Sequence, residues 1–254
     1  TLAHIIPALL LILTFAVPAL ADITQIDSYK KSIKLDPHDY VAHFGLAKAY
    51  QTLGRHEEAI KEFKEVLRVE PIYPAAYFGI GTSYGELSQY QESADAYLDA
   101  TRLDPLYAEA QNGLGWAYLR LNRCGEALEP LQKALQLKPD LVTAHLTLGQ
   151  CHAALNKHEA ALKEYTEALR INPVYPEAFI GRGKSYEALK QYNDAIAEYK
   201  ETLDLSPSSE DALLSLGWLF LELKRYPEAI DNLQNAVFIN PKSEEAQDYL
   251  GMSL

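Results

Sequence analysis

The stretch that decides the fold is PLYAEAQNGLGWAYLRLNRCGEALEPLQKALQLKP, residues 105–139, which begins and ends with a proline. The spacing continues in both directions, because prolines stand at positions 37, 71, 105, 139, 173, 207 and 241, each 34 residues after the last. Proline makes up roughly 5% of an average sequence, so seven prolines in one phase are not a chance result. A fixed period of this length indicates a repeat protein, in which each unit buries its core against its neighbours.

Each unit contains two apolar patterns at helical spacing. In the first unit, Leu46 and Tyr50 share one helix face, while Phe63 and Val66 share another, and Gly54 lies between the two helices as a suitable C-terminal cap. Counting places from three residues after each phase proline, the units begin at Tyr40, Pro74, Ala108, Val142, Pro176 and Glu210. The predicted organisation is a hydrophobic segment at 1–21 and a solenoid at 22–254, with a half unit at 22–39, six units at 40–243 and a partial unit at 244–254.

The residues at fixed places of the unit have a recognisable order. Unit three shows it in full, with Leu114-Gly115, Tyr118, Ala127, Ala134 and Pro139. Small residues at the eighth and twentieth places allow two helices to approach closely, and large residues between them fill the core. This pattern resembles the tetratricopeptide repeat family over residues 22–254. Three departures, Ser93, Arg182 and Thr202, are not expected to disturb the fold.

The resemblance implies an all-α, right-handed superhelical solenoid of antiparallel helix pairs. First helices would line a concave groove, and second helices would face outward. By the same resemblance, the groove residues are expected to be Phe44, Lys48, Phe78, Trp116, Leu119, Leu146, Ile180, Trp218 and Leu221. Large exposed apolar surfaces usually mark binding sites, although some of these side chains could instead pack between repeats. The lysine and asparagine clamp with which some family members hold a C-terminal carboxylate is missing, so a chaperone adaptor of that type is not expected.

Composition excludes several other classes of protein. The formal net charge is −12 and no basic run exceeds two residues, which argues against a nucleic-acid partner. Two cysteines are too few for a disulfide scaffold or a four-cysteine zinc site. Cys124 and Cys151 are either independent buried thiols or a disulfide in an oxidising compartment.

The first 21 residues differ from the rest of the chain, because they contain no Asp, Glu, Lys or Arg and include PALLLILTFAVPALA at 7–21. Three interpretations stay open. The segment is a secretory signal that ends at Ala19-Leu20-Ala21, a membrane anchor, or an apolar helix packed within an assembly. Each of them predicts a protein outside the cytoplasm, secreted, at the cell surface or periplasmic, with a membrane anchor as one option.

No catalytic or cofactor motif stands out from the repeat, so the protein is predicted not to be an enzyme and to need no cofactor or metal. His145 and His152 lie seven residues apart on one helix face, like a ligand pair, but both occupy core places of the unit. Gly79-Ile80-Gly81 and Gly113-Leu114-Gly115 fall inside predicted helices without a preceding strand, so they are interpreted as helix-packing glycines.

The two ends of the solenoid are predicted to be unlike. The C-terminal partial unit keeps the Leu-Gly pair of an internal first helix, and the hydrophobic segment at 1–21 precedes a second-helix pattern at 23–36. Unlike ends favour a head-to-tail contact between copies. Its expected residues are Leu9, Leu10, Ile12, Leu13, Phe15, Tyr249, Leu250 and Met252.

The sequence therefore predicts a non-catalytic protein-interaction and structural scaffold outside the cytoplasm, which self-assembles head to tail into a filament or oligomer. The alternative is a membrane-anchored or periplasmic adaptor in a larger envelope or secretion complex. The expected partner is a protein, either another copy or another subunit, and membrane contact would run through residues 1–21.

Overall fold

A computed structural model describes residues 25–253, and within that range the chain is helical with no strand. The predicted all-α repeat fold is confirmed. The predicted N-terminal apolar helix, with Leu9, Leu10, Ile12, Leu13 and Phe15, lies outside the described residues. The helices are α1 (25–35), α2 (Tyr40–Thr52), α3 (His56–Val69), α4 (Pro74–Glu86), α5 (Tyr90–Leu103), α6 (Ala108–Arg120), α7 (Cys124–Leu137), α8 (Val142–Ala154), α9 (His158–Ile171), α10 (Pro176–Ala188), α11 (Tyr192–Leu205), α12 (Glu210–Glu222), α13 (Tyr226–Ile239) and α14 (Glu244–Ser253).

The described residues divide into two compact lobes, an N-terminal lobe that ends at Leu121 and a C-terminal lobe that begins at Asn122. In each lobe the two helices of a unit pack against each other, as α4 packs on α5 and α8 on α9. First helices of successive units also touch. In the N-terminal lobe α2 contacts α4 and α4 contacts α6, and in the C-terminal lobe α8 contacts α10, α10 contacts α12 and α12 contacts α14. Each lobe therefore presents a surface built from first helices. None of the helices within residues 25–253 has the length and hydrophobicity needed to span a bilayer.

The core of each unit depends on a small residue at the twentieth place. These residues are fully buried in all six units: Ala59, Ser93, Ala127, Ala161, Ala195 and Ala229. A large residue four places later is buried beside each one, such as Phe63 or Tyr165. Glycines of the first helices lie against these large side chains, and a Cβ on Gly181 would come within 2.5 Å of the Tyr165 ring. The helices therefore approach as closely as their side chains allow.

The first helices end in a left-handed residue at the same place of each unit. Gly54 has φ of +70°, and the equivalent residues with positive φ are Ser88, Asn122, Asn156, Lys190 and Lys224. The amide of the next residue then bonds back to the helix, as Arg55 N–H does to the Tyr50 carbonyl at 2.8 Å. Five of these six residues are not glycine, so the cap is maintained although a left-handed residue with a Cβ costs about 1–2 kcal/mol.

The three departures from the repeat pattern each find a hydrogen-bond partner. Ser93 Oγ donates to the Gly81 carbonyl at 2.7 Å, and Thr202 Oγ1 donates to the Glu198 carbonyl at 3.0 Å. Arg182 Nε donates to Glu198 Oε2 at 2.8 Å. Because buried polar groups are costly only when unpaired, these residues fit the core without loss of the fold.

Candidate functional site

The predicted groove residues Phe44 and Phe78 pack between helices of the N-terminal lobe. The Phe44 ring lies 5.5 Å from Phe63 and 5.3 Å from Tyr73, both edge to face. Phe78 is held in a similar way between two tyrosine rings, at 5.6 and 5.1 Å. Both phenylalanines are half-buried, so a large part of each ring is used for contacts between repeats rather than for a partner.

The polar groove residue Lys48 is exposed, and its Nζ donates to Gln51 Oε1 on the same helix at 3.1 Å. Gln51 in turn donates to the Gly79 carbonyl at 2.8 Å and to Ser83 Oγ at 2.9 Å. Lys48 therefore belongs to a polar bridge between the first two units.

Trp116, at the ninth place of unit three, is half-buried and contacts side chains of its own lobe. Its ring lies 5.8 Å from Tyr90, edge to face, and the Arg120 guanidinium carbon lies 6.0 Å from the indole centroid. Arg120 also stands 4.8 Å above the Tyr90 ring and donates to the Tyr90 hydroxyl at 2.6 Å. The remaining groove residue of this lobe, Leu119, is half-buried.

The C-terminal lobe contains an open pocket of about 380 Å³ between α10, α12 and α14. Trp218 and Tyr249 form an aromatic wall in it, with ring centroids 5.2 Å apart at 35°. The Tyr249 hydroxyl donates to Glu245 Oε1 at 2.9 Å, and this hydrogen bond is the main reason why the pKa of Tyr249 is raised. The lining residues are Lys184, Glu187, Ala188, Asp211, Leu214, Ser215, Trp218, Glu245 and Tyr249.

A second pocket of about 350 Å³ adjoins the first, since Lys184 and Asp211 line both. Its other lining residues are Gln150, Ala153, His158, Tyr165, Glu177, Ile180, Gly181 and Ser185. Together the two pockets form one depression across α8, α10, α12 and α14, which we call the C-terminal groove. The structure thus brings the predicted groove residues Ile180 and Trp218 together with Tyr249, which was expected to act only at an end contact.

The C-terminal groove is acidic. Glu177, Glu187, Asp211 and Glu245 contribute four carboxylates against the single ammonium group of Lys184. Glu187 accepts a hydrogen bond from the Tyr199 hydroxyl at 2.9 Å. Burial raises the pKa of Tyr199, and the neighbouring Glu187 charge raises it further. The neutral phenol therefore donates to the Glu187 carboxylate and holds it at the groove wall.

Sequence reasoning missed three of these acids, Glu177, Asp211 and Glu245, because it interpreted most carboxylates as solvated charges on outer faces. A signal was present, since all three occupy the second place of their units and recur every 34 residues. Glu187 was placed correctly on the first-helix face, at the twelfth place of its unit.

The other predicted site residues occupy different surroundings. Leu146 is buried, with 9% exposed, and offers little surface to a partner, while Leu221 is half-buried. Both Tyr249 and Leu250 pack against the core cluster around Leu216, and only Met252 of the C-terminal group is strongly exposed, at 61%.

The histidine pair and the cysteine pair that the sequence singled out pack within the repeats. His145 Nδ1 lies 2.7 Å from Glu164 Oε2 and its Nε2 lies 3.0 Å from the Pro139 carbonyl, so both ring nitrogens are engaged in the core. His152 is half-buried, and burial lowers its pKa. Cys124 and Cys151 are buried free thiols. Within residues 25–253, no three His, Cys, Asp or Glu side chains gather as they would around a metal ion.

Comparison with known proteins agrees with this geometry. Family models described as "Tetratricopeptide repeat" match residues 78–142 and 180–244, about half of the chain, and residues 26–79, while a "TPR repeat" model matches 152–190. No curated protein matches the sequence.

Many solved structures share the fold, and three of them illustrate the likeness. A chain of the APC/C hetero-tetramer Cut9-Hcn1 has 21% identity and a TM-score of 0.78, with 92% of this chain and 46% of that chain covered, so this chain spans about half the length of that relative. PilW, described as a widely conserved type IV pilus biogenesis factor, has 24% identity and a TM-score of 0.76, covering 83% and 98%. The pilF protein of Pseudomonas aeruginosa has 20% identity and a TM-score of 0.72, covering 84% and 96%. Helix pairs, buried small residues at fixed places and the matching models agree: this chain belongs to the tetratricopeptide repeat family.

Proposed function

We propose that this protein is a non-catalytic interaction scaffold outside the cytoplasm, and that its C-terminal groove holds a segment of another protein. The observation that carries the proposal is the open pocket of the C-terminal lobe. In the N-terminal lobe the aromatic residues of the first helices pack on neighbouring rings and on Arg120. In the C-terminal lobe Trp218 and Tyr249 line an open pocket of about 380 Å³. A concave surface with an aromatic wall and a few polar groups is typical of a binding site.

Selection of random twelve-residue peptides on the immobilised full chain tests this function. We expect selected peptides to bind the wild type, and to lose at least tenfold in affinity when Trp218→Ala removes one side of the aromatic wall. Trp116→Ala is the matched control, because Trp116 occupies the same place in unit three, outside the C-terminal groove, and contacts Tyr90 and Arg120. If no peptide is enriched, or if both variants bind equally well, the C-terminal groove is not the binding site.

We also propose that copies of the chain assemble head to tail through residues 1–21 and the C-terminal helix. The uncharged sequence of that segment and the 61% exposure of Met252 on α14 support the contact. Light scattering on size-exclusion fractions would compare the chain with and without residues 1–21. Oligomers only in the presence of the segment support the proposal, and a strict monomer at high concentration contradicts it.

The alternative is a membrane-anchored or periplasmic adaptor in an envelope or secretion complex. PilW is described as a pilus biogenesis factor, but at 24% identity the likeness to it extends to the fold alone. What supports this alternative is therefore the hydrophobic sequence at 1–21. N-terminal sequencing of the mature protein discriminates, since a first residue of Asp22 indicates a freed adaptor and retention of residues 1–21 favours the anchored or polymeric form. Cell fractionation tests the extracytoplasmic location itself.

A further inference from the structure

The two tryptophans of the chain occupy equivalent places in their repeats but have oppositely charged residues four places later. Trp116 and Trp218 both stand at the ninth place of their units. Four residues after Trp116, Arg120 extends its guanidinium toward the indole, with 6.0 Å between the guanidinium carbon and the ring centroid. Four residues after Trp218 the chain has Glu222, an exposed carboxylate, instead. The repeat therefore places a cation one helix turn after one tryptophan and an anion one helix turn after the other.

Arginines cover several other aromatic rings of the molecule. The guanidinium carbon of Arg55 lies 4.4 Å from the centroid of Tyr50, and that of Arg225 lies 4.5 Å from Phe220. No Lys or Arg within residues 25–253 lies over the Trp218 ring in this way, and the indole contacts Tyr249 instead. Tryptophan is the most favourable aromatic partner for a cation. Trp218, the best cation acceptor of the C-terminal groove, therefore has no Lys or Arg of the described residues over its ring.

Carboxylates line the same pocket as the Trp218 indole. Asp211 and Glu245 line the pocket with Trp218, from the first turns of α12 and α14, and Glu187 lines it from α10. Glu245 and Glu187 are each held by a tyrosine hydroxyl, while Asp211 is exposed. A guanidinium group matches this arrangement, because it is planar, stacks on an indole and donates to carboxylates through two parallel N–H groups. Leu214, in the same pocket, offers apolar surface next to the cation position.

We propose that the C-terminal groove binds a protein segment that carries an arginine, whose guanidinium lies over Trp218 between Asp211 and Glu245, with an adjacent apolar side chain on Leu214. The inference rests on the proposed function, since it names the partner of that groove. Charge complementarity favours this occupant over the hydrophobic segment of a second copy, because residues 1–21 contain no Lys or Arg.

The first test uses the peptides selected on the full chain. Each peptide is resynthesised with citrulline, a neutral analogue of the same shape, in place of each arginine, and affinities are measured by fluorescence anisotropy. We expect at least a tenfold loss for one arginine of each peptide and a further decrease as salt is raised from 50 to 500 mM, since charge pairs at an open groove are screened.

The second test changes the protein. Glu222→Arg places over Trp218 the cation that Arg120 provides for Trp116, and we expect it to weaken peptide binding at least tenfold by occupying the ring and repelling the ligand. Glu222 is exposed in the last turn of α12, where a cation suits the helix terminus, so the variant should fold. Glu86→Arg is the matched control, because it makes the same charge change at the same place of unit two. Circular dichroism and urea unfolding check that both variants are folded.

The outcomes separate this inference from the function on which it rests. Peptides that need Trp218 but bind equally well with citrulline, or after Glu222→Arg, overturn the arginine proposal and leave the groove as a binding site. Absence of any Trp218-dependent peptide overturns both.

Discussion

Arg182 and Glu198 form an ion pair, and Arg182 stands at a place where other units bury an apolar side chain. The Nε–Oε2 distance is 2.8 Å, and the two side chains are only 19% and 12% exposed. The residues equivalent to Arg182 in units one and six are Leu46 and Leu216, which are core residues. Burial raises the pKa of Glu198, and the hydrogen bond from Arg182 acts in the opposite direction.

We predict that Arg182→Leu destabilises the protein by about 2–4 kcal/mol at neutral pH, although it restores the residue found in other units, because it leaves a mostly buried carboxylate unpaired. A buried carboxyl whose folded pKa is raised favours the folded state in its protonated form. The loss of stability caused by Arg182→Leu should therefore be smallest below the unfolded pKa of roughly 4.3 and grow as pH rises through the folded pKa. Urea unfolding at pH 4.5 and 7.5 measures this loss of stability.

The double variant Arg182→Leu with Glu198→Leu should recover most of the lost stability. An equal loss for Arg182→Leu at both pH values would contradict the explanation.

His145 is predicted to make stability depend on pH in the opposite sense from a paired carboxylate. Its two ring nitrogens face the Glu164 carboxylate at 2.7 Å and the Pro139 carbonyl at 3.0 Å, and both acceptors can be satisfied only by the imidazolium. The hydrogen bond to Glu164 is the main cause that raises the His145 pKa. The resulting stability is complete below the unfolded pKa of about 6.5 and is lost as pH rises through the raised folded pKa.

The variant His145→Gln isolates this effect, since Gln111 occupies the same place in unit three. We expect the wild type to be more stable than the variant by about 1–2 kcal/mol at pH 6, and the difference to shrink by pH 9. Urea unfolding across this range measures it, and a difference that does not change with pH would show that the imidazolium is not the stabilising form.

Gly181 and Gly125 are predicted to respond differently to alanine. A Cβ on Gly181 would lie 2.5 Å from the Tyr165 ring, whereas a Cβ on Gly125 meets nothing within 4 Å. Gly181→Ala should cost about 1–3 kcal/mol through overpacking. Gly125→Ala, in an exposed first turn of α7, should be neutral or stabilise by up to about 1 kcal/mol through helix propensity. The two urea midpoints provide the measurement, and a shift in the same direction would refute the packing explanation.

The period of 34 residues made the helix pairs predictable, because a proline and a small residue at fixed places leave a chain little freedom in where its helices begin and meet. The caps were only partly predictable. Gly54 signals its left-handed conformation, whereas Lys190 and Lys224 adopt it with no such signal, because helix packing rather than residue type imposes the turn.

The repeat pattern does not predict which first-helix residues line the candidate site. Phe44 and Trp218 occupy first-helix places that look equally suited to a groove, but the Phe44 ring is taken up by Phe63 and Tyr73. That difference depends on the side chains of neighbouring units, which a pattern read one unit at a time does not contain. The acidity of the C-terminal groove depends likewise on three units together.

Cys151 is predicted to resist alkylation while the protein is folded. Its side chain is fully buried, and burial, followed by a hydrogen bond with the Cys124 thiol, raises its pKa. Because the thiolate is the reactive form, we expect iodoacetamide at pH 8 to modify Cys151 at least tenfold more slowly in the folded protein than in concentrated urea. Mass spectrometry of the Cys124→Ser variant measures the modification of Cys151 alone. A separate measurement on the wild type under air tests whether both thiols stay free. Equal rates in the folded and unfolded protein would show that the α7–α8 contact opens readily.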